Sequence, residues 1–322
     1  MGVVTVDRHI MEQQNPTASG EFSWLLCGVT LATQMIASHV RRAGLANLVG
    51  ATGEKNIHGE EVQKLDEAAN RTLQECLGYR GNVGIVASEE DDEPIMLDRG
   101  EKGRYVVLFD PLDGSGNIDS AMPVGTIFSV LERPARRRRR RREGEGVLQP
   151  GDRQLAAGYV VYGSSTVLCY TTGAGVHMFT LDPAVGAFVL VRENITIPHK
   201  RIYGVNEAYY SSFPAGYQRW LDWTKDEGYK MRCHGALVAD FHRLLVDGGV
   251  FAYPETAAHP QGKLRLMYEA NPIAFLAEQA GGAATDGTAG ILSKQPTSLH
   301  ERTPLLVGDK EQVDVVQEFL SG

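Results

Sequence analysis

The chain has 322 residues, of which 43% are hydrophobic and 22% are charged, and its formal net charge is −8. This is the composition of an ordinary globular protein, with enough chain for one large or two ordinary domains. The acidic balance argues against a protein whose surface coats nucleic acid or an anionic membrane. A binding site for an anion would therefore need metal cations or a local group of basic side chains.

The cysteines and the start of the chain indicate the compartment. Four cysteines occur at widely separated positions: Cys27, Cys76, Cys169 and Cys233. They match neither a zinc-binding spacing nor a dense disulfide framework. The N-terminal residues lack the pattern of a secretory signal, and the apolar runs are shorter than the ~18 residues of a membrane span. We expect a cytoplasmic protein that does not associate with membranes.

Two helices are predicted in the first part of the chain. Ser19 is a predicted N-cap for a helix that ends near Arg42, before Gly44, with apolar residues at helical spacing. A second helix is predicted over residues 60–77, and Asp66 lies within it.

Strands are predicted after these helices. Residues 83–87 and 105–109 are apolar without alternation, which is typical of strands buried on both faces. Further strands are predicted at residues 125–131, 156–162, 166–170, 176–181 and 187–191.

The second half of the chain mixes helices and strands. Helices are predicted at residues 212–226 and 237–245, and a strand at 250–253. Asn271 is a predicted N-cap, with Pro272 in the first turn of a helix that ends at Gly281.

Residues 136–142 are seven consecutive arginines. Because such a run repels itself, it predicts a solvated loop. The alternative is a binding protein that uses this run to contact nucleic acid or a membrane surface. That alternative predicts salt-sensitive binding that disappears when residues 136–142 are replaced by Gly and Ser; the acidic composition argues against it.

Carboxylates follow the two buried strand candidates. Glu89 and Glu90 come after the first strand, and Asp110 and Asp113 come after the second. In open sheets, ligands gather beyond the carboxyl ends of strands. If the two strands are neighbours, these four groups repel one another unless divalent cations neutralise them. Ligation by oxygen alone favours Mg²⁺ or Mn²⁺.

The loop after the second strand adds an anion-binding element. Residues 114–117 are small, so their backbone N–H groups are able to surround phosphate oxygens. Pro111 stiffens the turn, and the carbonyl of Leu112 is a natural extra metal ligand. Each acidic segment alone is more often a plain turn or a solvated loop. Both together, each after a buried strand, indicate a metal site.

Residues 109–119, Phe-Asp-Pro-Leu-Asp-Gly-Ser-Gly-Asn-Ile-Asp, closely resemble the metal and phosphate loop of class 1 fructose-1,6-bisphosphatases. Further similar motifs extend over nearly the whole chain, at residues 56–66, 88–91, 148–151, 157–159, 206–209, 238–243 and 262–272. Many ordered motifs at family-like spacing are far more specific than any single one.

The resemblance implies a fold and an activity. The implied fold is α/β, with layers in the order αβαβα and helices between and outside mixed sheets. We divide the chain near residues 192–200 into an N-terminal metal- and phosphate-loop domain, 1–192, and a C-terminal sugar-phosphate-binding domain, 193–322. The implied enzyme is a homotetramer that hydrolyses the 1-phosphate of D-fructose 1,6-bisphosphate with Mg²⁺, in gluconeogenesis or the Calvin cycle.

The resemblance also implies roles for individual residues. The metal-binding positions match Glu89, Asp110, the Leu112 carbonyl, Asp113 and Glu269. The loop that holds the cleaved phosphate matches Asp113, Gly114, Ser115 and Gly116. Positions that contact the sugar and the retained 6-phosphate match Asn206, Tyr209, Tyr253 and Lys263, with Arg232 reaching across a subunit interface. Carboxylates that orient and deprotonate the attacking water match Glu90 and Asp66, and Glu60 stands where the family usually has an aspartate.

The chain departs from the family pattern at several positions. Gly116 replaces a second serine of the phosphate loop, and Cys233-His234 replaces a tyrosine and an aliphatic residue. We therefore expect weaker substrate binding with the chemistry retained. The residues that resemble the AMP site of relatives are Ser19, Gly20, Glu21, Ser23, Arg104 and Tyr105, but Glu132 stands where an arginine is often found. The sequence thus argues against AMP as an effector.

Two other phosphatase activities remain open. Sedoheptulose 1,7-bisphosphate, as the sole or a second substrate, would use the same metal loop with a different sugar pocket. An inositol-phosphate-type phosphatase would share the D-P-x-D-G element. Asn206, Tyr209 and Lys263 argue against the latter, since they suit a second phosphate.

Overall fold

The computed structural model of the chain describes residues 2–13, 20–55, 61–79, 82–97, 103–134 and 146–322. The predicted cap Ser19, the predicted catalytic residue Glu60 and the arginine run 136–142 lie outside the described residues.

The helices and strands of the described residues are as follows. The helices are α1 Val6–Glu12, α2 Glu21–Arg41, α3 Lys64–Gly78, α4 Ala215–Asp226, α5 Leu237–Asp247, α6 Asn271–Gln279 and α7 Lys310–Ser321. The strands of the first half are β1 Ala51–Lys55, β2 Glu61–Gln63, β3 Val83–Ser88, β4 Ile95–Met96, β5 Tyr105–Asp113, β6 Val124–Glu132, β7 Gln154–Tyr162, β8 Thr166–Thr171, β9 His177–Asp182 and β10 Ala187–Arg192. Those of the second half are β11 Ile202–Gly204, β12 Lys230–Met231, β13 Val250–Tyr253, β14 Leu264–Arg265, β15 Gly282–Thr285, β16 Arg302–Thr303 and β17 Leu305–Asp309.

Two mixed sheets contain most of the strands. The larger sheet has eight strands in the order β10-β9-β8-β7-β6-β5-β3-β4, and the smaller has five in the order β12-β11-β13-β17-β15. In the larger sheet β3 and β5 are parallel, with Ser88 paired to Phe109. Because parallel strands end at the same edge of a sheet, the acidic residues that follow β3 lie beside those at the end of β5.

Buried apolar clusters show how the layers stack. Helices α1 to α3 cover one face of the larger sheet, where Leu73 packs in the same cluster as Phe109. Helices α5 and α6 fill the space between the sheets, where Phe241 and Val307 share a cluster. Helices α4 and α7 cover the outer face of the smaller sheet, around Trp220. This αβαβα order confirms the predicted fold class.

The strand predictions in the first half are confirmed. Both runs predicted to be buried on both faces are buried along their whole length. The start of the helix predicted over 60–77 is wrong, because residues 61–63 form β2, which pairs with β1, and α3 begins at Lys64.

The prediction that Asn271 is an N-cap is also wrong. A π-helical turn, Leu266–Ala270, runs directly into α6, so Asn271 lies inside a continuous helical segment with φ −61° and ψ −51°. The propensity of Asn and Pro for a helix start is real, but tertiary packing extends the helical backbone one turn further.

No helix of the described residues is long and apolar enough to span a membrane.

Candidate active site

A cavity of about 750 Å³ is lined by residues of both sheets. Most of the predicted site residues line it: Glu89, Glu90, Asp110, Leu112, Asp113, Gly114, Ser115, Gly116, Asn206, Tyr209, Tyr253, Lys263 and Glu269. Asp66 and Arg232 do not line it. The tertiary structure thus brings residues from chain segments far apart in sequence to one place, and their individual roles stay predictions.

Three buried carboxylates converge at one end of the cavity. Asp110, Asp113 and Glu269 each offer an oxygen within 4.8 Å of the others. Burial raises the pKa of Asp113 to about 6 and the pKa of Asp110 and of Glu269 well above their usual range. Repulsion from Glu89 adds to the rise for Asp110 and Glu269. Such a cluster is stable only when protons or a bound cation neutralise part of its negative charge.

Backbone hydrogen bonds orient the first carboxylates. The parallel pairing of β3 and β5 continues past the strands, where the N–H of Glu89 donates to the Phe109 carbonyl at 3.1 Å. The N–H of Leu112 donates to Asp110 Oδ1 at 2.9 Å. The Thr126 hydroxyl of β6 donates to the Pro111 carbonyl at 2.9 Å, which holds the turn in the interior.

Asp113 connects the phosphate loop to the second half of the chain. Its Oδ2 accepts a hydrogen bond of 2.6 Å from the N–H of Val238, in the first turn of α5. The N–H groups of Val238 and Leu237 lower the pKa of Asp113, against the larger effect of burial. A helix N-terminus stabilises a negative charge, so α5 holds this carboxylate partly ionised.

Arg265 is a site residue to which the sequence analysis assigns no role. Its N–H donates to Glu269 Oε2 at 2.5 Å, and its Nε lies 3.4 Å from Glu89 Oε1. The side chain is only 3% exposed, so its charge acts on the carboxylates with little solvent screening. The sequence signal for Arg265 is its position four residues before Glu269, which is a predicted metal ligand.

Gly114 allows the phosphate loop to turn against α5. Its φ is +80°, and a Cβ at this position would lie 2.4 Å from the Ala236 Cβ. Asn117 also holds the loop, since its Nδ2 donates to the carbonyls of Pro123 at 3.0 Å and His234 at 3.3 Å. At Gly116, by contrast, an added Cβ would meet nothing within 4 Å.

The same cavity also carries hydrogen-bond donors and a lysine ammonium group. Tyr209 and Lys263 are exposed there. Burial, with a contribution from Glu269, raises the pKa of Tyr253 to about 12, so its hydroxyl stays a donor at neutral pH. Arg232 is exposed outside the cavity, and its Nη1 donates to the Met231 carbonyl.

Asp66 lies at the start of α3. It is buried, and its Oδ2 accepts a hydrogen bond of 3.2 Å from the N–H of Gln63, as part of a capping box. Helix α3 also holds the acidic loop after β3, because the amides of Asn70 and Gln74 donate to Asp91 at 3.0 and 2.7 Å. These two supporting amides are not evident in the sequence, since their partner is distant along the chain.

The layered fold, the buried carboxylates and the glycine loop beside them fit a hydrolase of phosphoric monoesters. A family model described as the fructose-1-6-bisphosphatase N-terminal domain matches residues 4–193, and one for the C-terminal domain matches residues 197–321. The chain belongs to the fructose-1,6-bisphosphatase family, as the sequence motifs predict.

Relatives and solved structures agree with the two family models. A class 1 fructose-1,6-bisphosphatase of Chlorobium chlorochromatii is 49% identical, with 99% of this chain and 98% of that protein covered. One of Chloroherpeton thalassium is 47% identical, covering 99% and 94%. The holo crystal structure of Leishmania major fructose-1,6-bisphosphatase superposes with a TM-score of 0.94 at 36% identity, covering 99% of both chains.

Proposed function

We propose that the protein hydrolyses the 1-phosphate of D-fructose 1,6-bisphosphate to D-fructose 6-phosphate and phosphate, with Mg²⁺ as its cation. The observation that carries the proposal is the position of the carboxylates Asp110, Asp113 and Glu269 beside the Gly114 loop. Lys263 lines the same cavity, so one pocket has a place for each of two phosphates. The activity named in the relatives' descriptions supports the same substrate.

The donor set fits a hard cation. Glu89, Asp110, Asp113, Glu269 and the Leu112 carbonyl offer only oxygen, which favours Mg²⁺ over zinc, with Mn²⁺ as a second choice. The raised pKa values of the buried carboxylates mean that a bound cation would replace protons there. When bound, Mg²⁺ supplies neutralisation of the phosphate charge and stabilisation of the leaving oxygen.

The chain's own residues position and activate the reactants. Backbone N–H groups of Gly114 to Gly116 bind the phosphate that is cleaved. The Glu90 carboxylate accepts a proton from the attacking water as the oxygen bonds to phosphorus and the bond to the sugar oxygen breaks. Asp66 is proposed to help orient and deprotonate this water, and Glu60 is proposed as a catalytic residue because it stands where the family usually has an aspartate near the metals. Catalysis here is mainly positioning and electrostatics.

The retained phosphate binds at the other end of the cavity. Lys263, Tyr209, Tyr253 and Asn206 supply its charge and hydrogen bonds. Arg232 is proposed to complete the corresponding site of a neighbouring subunit, which fits its exposed position outside its own cavity.

An exposed apolar face supports assembly into a homotetramer. On α2, Trp24, Leu31 and Met35 are 57%, 45% and 42% exposed. Large apolar side chains grouped on a helix surface are typical of subunit interfaces. Sedimentation velocity of the purified protein tests this assembly, and a monomer would contradict it.

AMP is not proposed as an effector. Arg104, which resembles a residue of the relatives' AMP site, has its Nη2 3.3 Å from Glu132 Oε1 and its Nη1 3.8 Å from Glu21 Oε2. Glu132, which stands where an arginine is often found, repels a nucleotide phosphate at this place. A cytoplasmic location is also proposed, since all four cysteines are free thiols.

Initial rates on three substrates test the proposed function. We expect rapid Mg²⁺-dependent hydrolysis of fructose 1,6-bisphosphate, abolished by a chelator and by Asp113→Ala. Asp119→Ala is the matched control, because Asp119 lies in the same loop but is exposed. Faster hydrolysis of sedoheptulose 1,7-bisphosphate or of an inositol phosphate, or full activity in Asp113→Ala, would overturn the proposal.

A further inference from the structure

A second group of side chains that are able to ligate a metal lies around strands β8 to β10 of the larger sheet, away from β3 and β5. His9 of α1, Tyr170 of β8 and His177 of β9 meet there, beside Glu193, which follows β10. The order of the strands places β8 three positions from β5, so this group is separate from the acidic cavity. The proposed phosphatase chemistry makes no use of these residues.

The geometry is that of a small coordination site. A ring nitrogen of His9, one of His177 and a carboxylate oxygen of Glu193 lie within 4.8 Å of one another. The two imidazole rings are 4.4 Å apart between centroids, and His9 Nε2 is 3.7 Å from Glu193 Oε1. The histidines are 2% and 4% exposed, whereas the Glu193 side chain is 56% exposed and gives access from solvent.

Two buried ring nitrogens in this group lack hydrogen-bond partners. Among the described residues, neither His9 Nε2 nor His177 Nδ1 has one. A buried polar atom without a partner destabilises the folded state, so such atoms call for an explanation. The aromatic contacts of His9 with Phe179 and His177 account for the packing of the rings but leave these nitrogens unsatisfied.

The surroundings of the rings suit metal ligation. His9 Nδ1 and the Tyr170 hydroxyl are hydrogen-bonded at 2.6 Å, which fixes the ring and leaves Nε2 directed at Glu193. A hydrogen bond at the far nitrogen is the usual way in which proteins orient a metal-ligating histidine.

We propose that His9, His177 and Glu193 form a second metal site, which binds a borderline divalent transition cation, Zn²⁺ in particular. Two imidazoles and one carboxylate suit Zn²⁺ and disfavour Mg²⁺, in contrast to the all-oxygen site. The cation would join the N-terminal segment to the sheet edge, where the N–H of Leu190 already donates to the Val4 carbonyl at 2.9 Å.

Zinc titration of the chelator-treated full-length protein tests the site. To remove competing binding by the acidic cavity, the measurement uses the Asp110→Asn variant as well as the wild type with excess Mg²⁺. We expect one Zn²⁺ per chain by calorimetry and a higher melting temperature with Zn²⁺. Glu193→Gln and His9→Gln should each weaken Zn²⁺ binding at least tenfold, and bound Co²⁺ should show visible absorption bands that these variants lose.

His199→Gln is the matched control, since His199 lies outside the proposed site and pairs with Asp309 at 2.7 Å. The His199→Gln protein should bind Zn²⁺ as tightly as the wild type. Zinc affinity that is equal in wild type, Glu193→Gln and His9→Gln would overturn the proposal, as would no binding beyond that of the surface histidines. If His9→Gln does not fold, Glu193→Gln decides, because this exposed side chain contributes little packing. The Mg²⁺-dependent phosphatase rate of Glu193→Gln should remain that of the wild type.

Discussion

The Arg265 guanidinium lies 3.4 Å from the Glu89 carboxylate, and the backbone N–H of the same arginine binds Glu269. One residue thus supplies a positive charge to one acidic group and a hydrogen bond to another. Because Arg265 is buried, this charge offsets part of the repulsion among the carboxylates even before a cation binds.

Arg265→Met should destabilise the protein by about 3 kcal/mol when divalent cations are removed, since it leaves buried carboxylates without a countercharge. Mg²⁺ should reduce this loss, because the cation supplies the missing positive charge. Urea unfolding with and without Mg²⁺ measures both values. Arg265→Lys, which keeps the charge, is the control and should lose less. An equal loss of free energy in both media would contradict the prediction.

Gly114→Ala should lower kcat/KM by at least about tenfold, because displacement of the phosphate loop removes transition-state contacts worth more than about 1.4 kcal/mol. The positive φ and the contact of 2.4 Å with Ala236 both oppose a side chain at this position. Gly116→Ala is the matched control, since a Cβ there meets nothing within 4 Å. The control should keep full activity. Steady-state kinetics measure kcat/KM for the two variants, and equal values would refute the prediction.

The stability of the cation-free protein should fall as the pH rises from about 5 to about 7. The folded-state pKa of Asp113, about 6, lies above its unfolded value of about 3.9, and those of Asp110 and Glu269 are also raised. The folded protein therefore holds more protons than the unfolded chain. The contribution of these groups is complete below their unfolded pKa values and disappears as the pH passes their folded values.

Urea midpoints at several pH values measure this dependence. Saturating Mg²⁺ should abolish most of the fall, because a bound cation compensates the ionised carboxylates. Asp110→Asn should flatten the profile, whereas the exposed control Asp119→Asn should not change it. A midpoint that rises with pH in the absence of cations would show that the sign is wrong.

Cys233→Tyr should lower KM for fructose 1,6-bisphosphate about threefold to tenfold while leaving kcat within about twofold, since one hydrogen bond to a charged group contributes roughly 1 kcal/mol or more. The thiol is exposed and lines the cavity, so the larger side chain has access to the sugar-phosphate end. Cys233→Phe separates the hydroxyl from the ring. If the Phe variant gains as much as the Tyr variant, the hydroxyl is not responsible.

Asp66→Asn distinguishes helix capping from proton transfer. An asparagine oxygen still accepts the Gln63 N–H, so we expect a loss of stability below about 0.5 kcal/mol, against about 1 kcal/mol for Asp66→Ala. If Asp66 takes part in orienting or deprotonating water, Asp66→Asn should lower kcat and change its pH profile. Wild-type kcat and pH profile in Asp66→Asn would remove Asp66 from the proposed machinery and leave it a capping role.

Local patterns in the amino-acid sequence predict the strands and the acidic motifs. The unbroken apolar runs at residues 83–87 and 105–109 predict buried strands, and the observed strands are Val83–Ser88 and Tyr105–Asp113. The resemblance through the segment 109–119 predicts the family, which the family models confirm. Both inferences work because the information lies within a few consecutive residues.

Contacts between distant segments required the tertiary structure. Glu269 reaches Asp110 only because α5 and α6 pack between the two sheets, and Asp113 meets the N-terminus of α5 although Val238 is 125 residues further along the chain. The same packing made the predicted cap at Asn271 part of a longer helical run. Local propensities of a fraction of a kcal/mol per residue yield to the burial of whole faces, which stabilises by many kcal/mol. Residue types and spacing therefore identified the chemistry, while the stacking of the layers decided which side chains share a cavity.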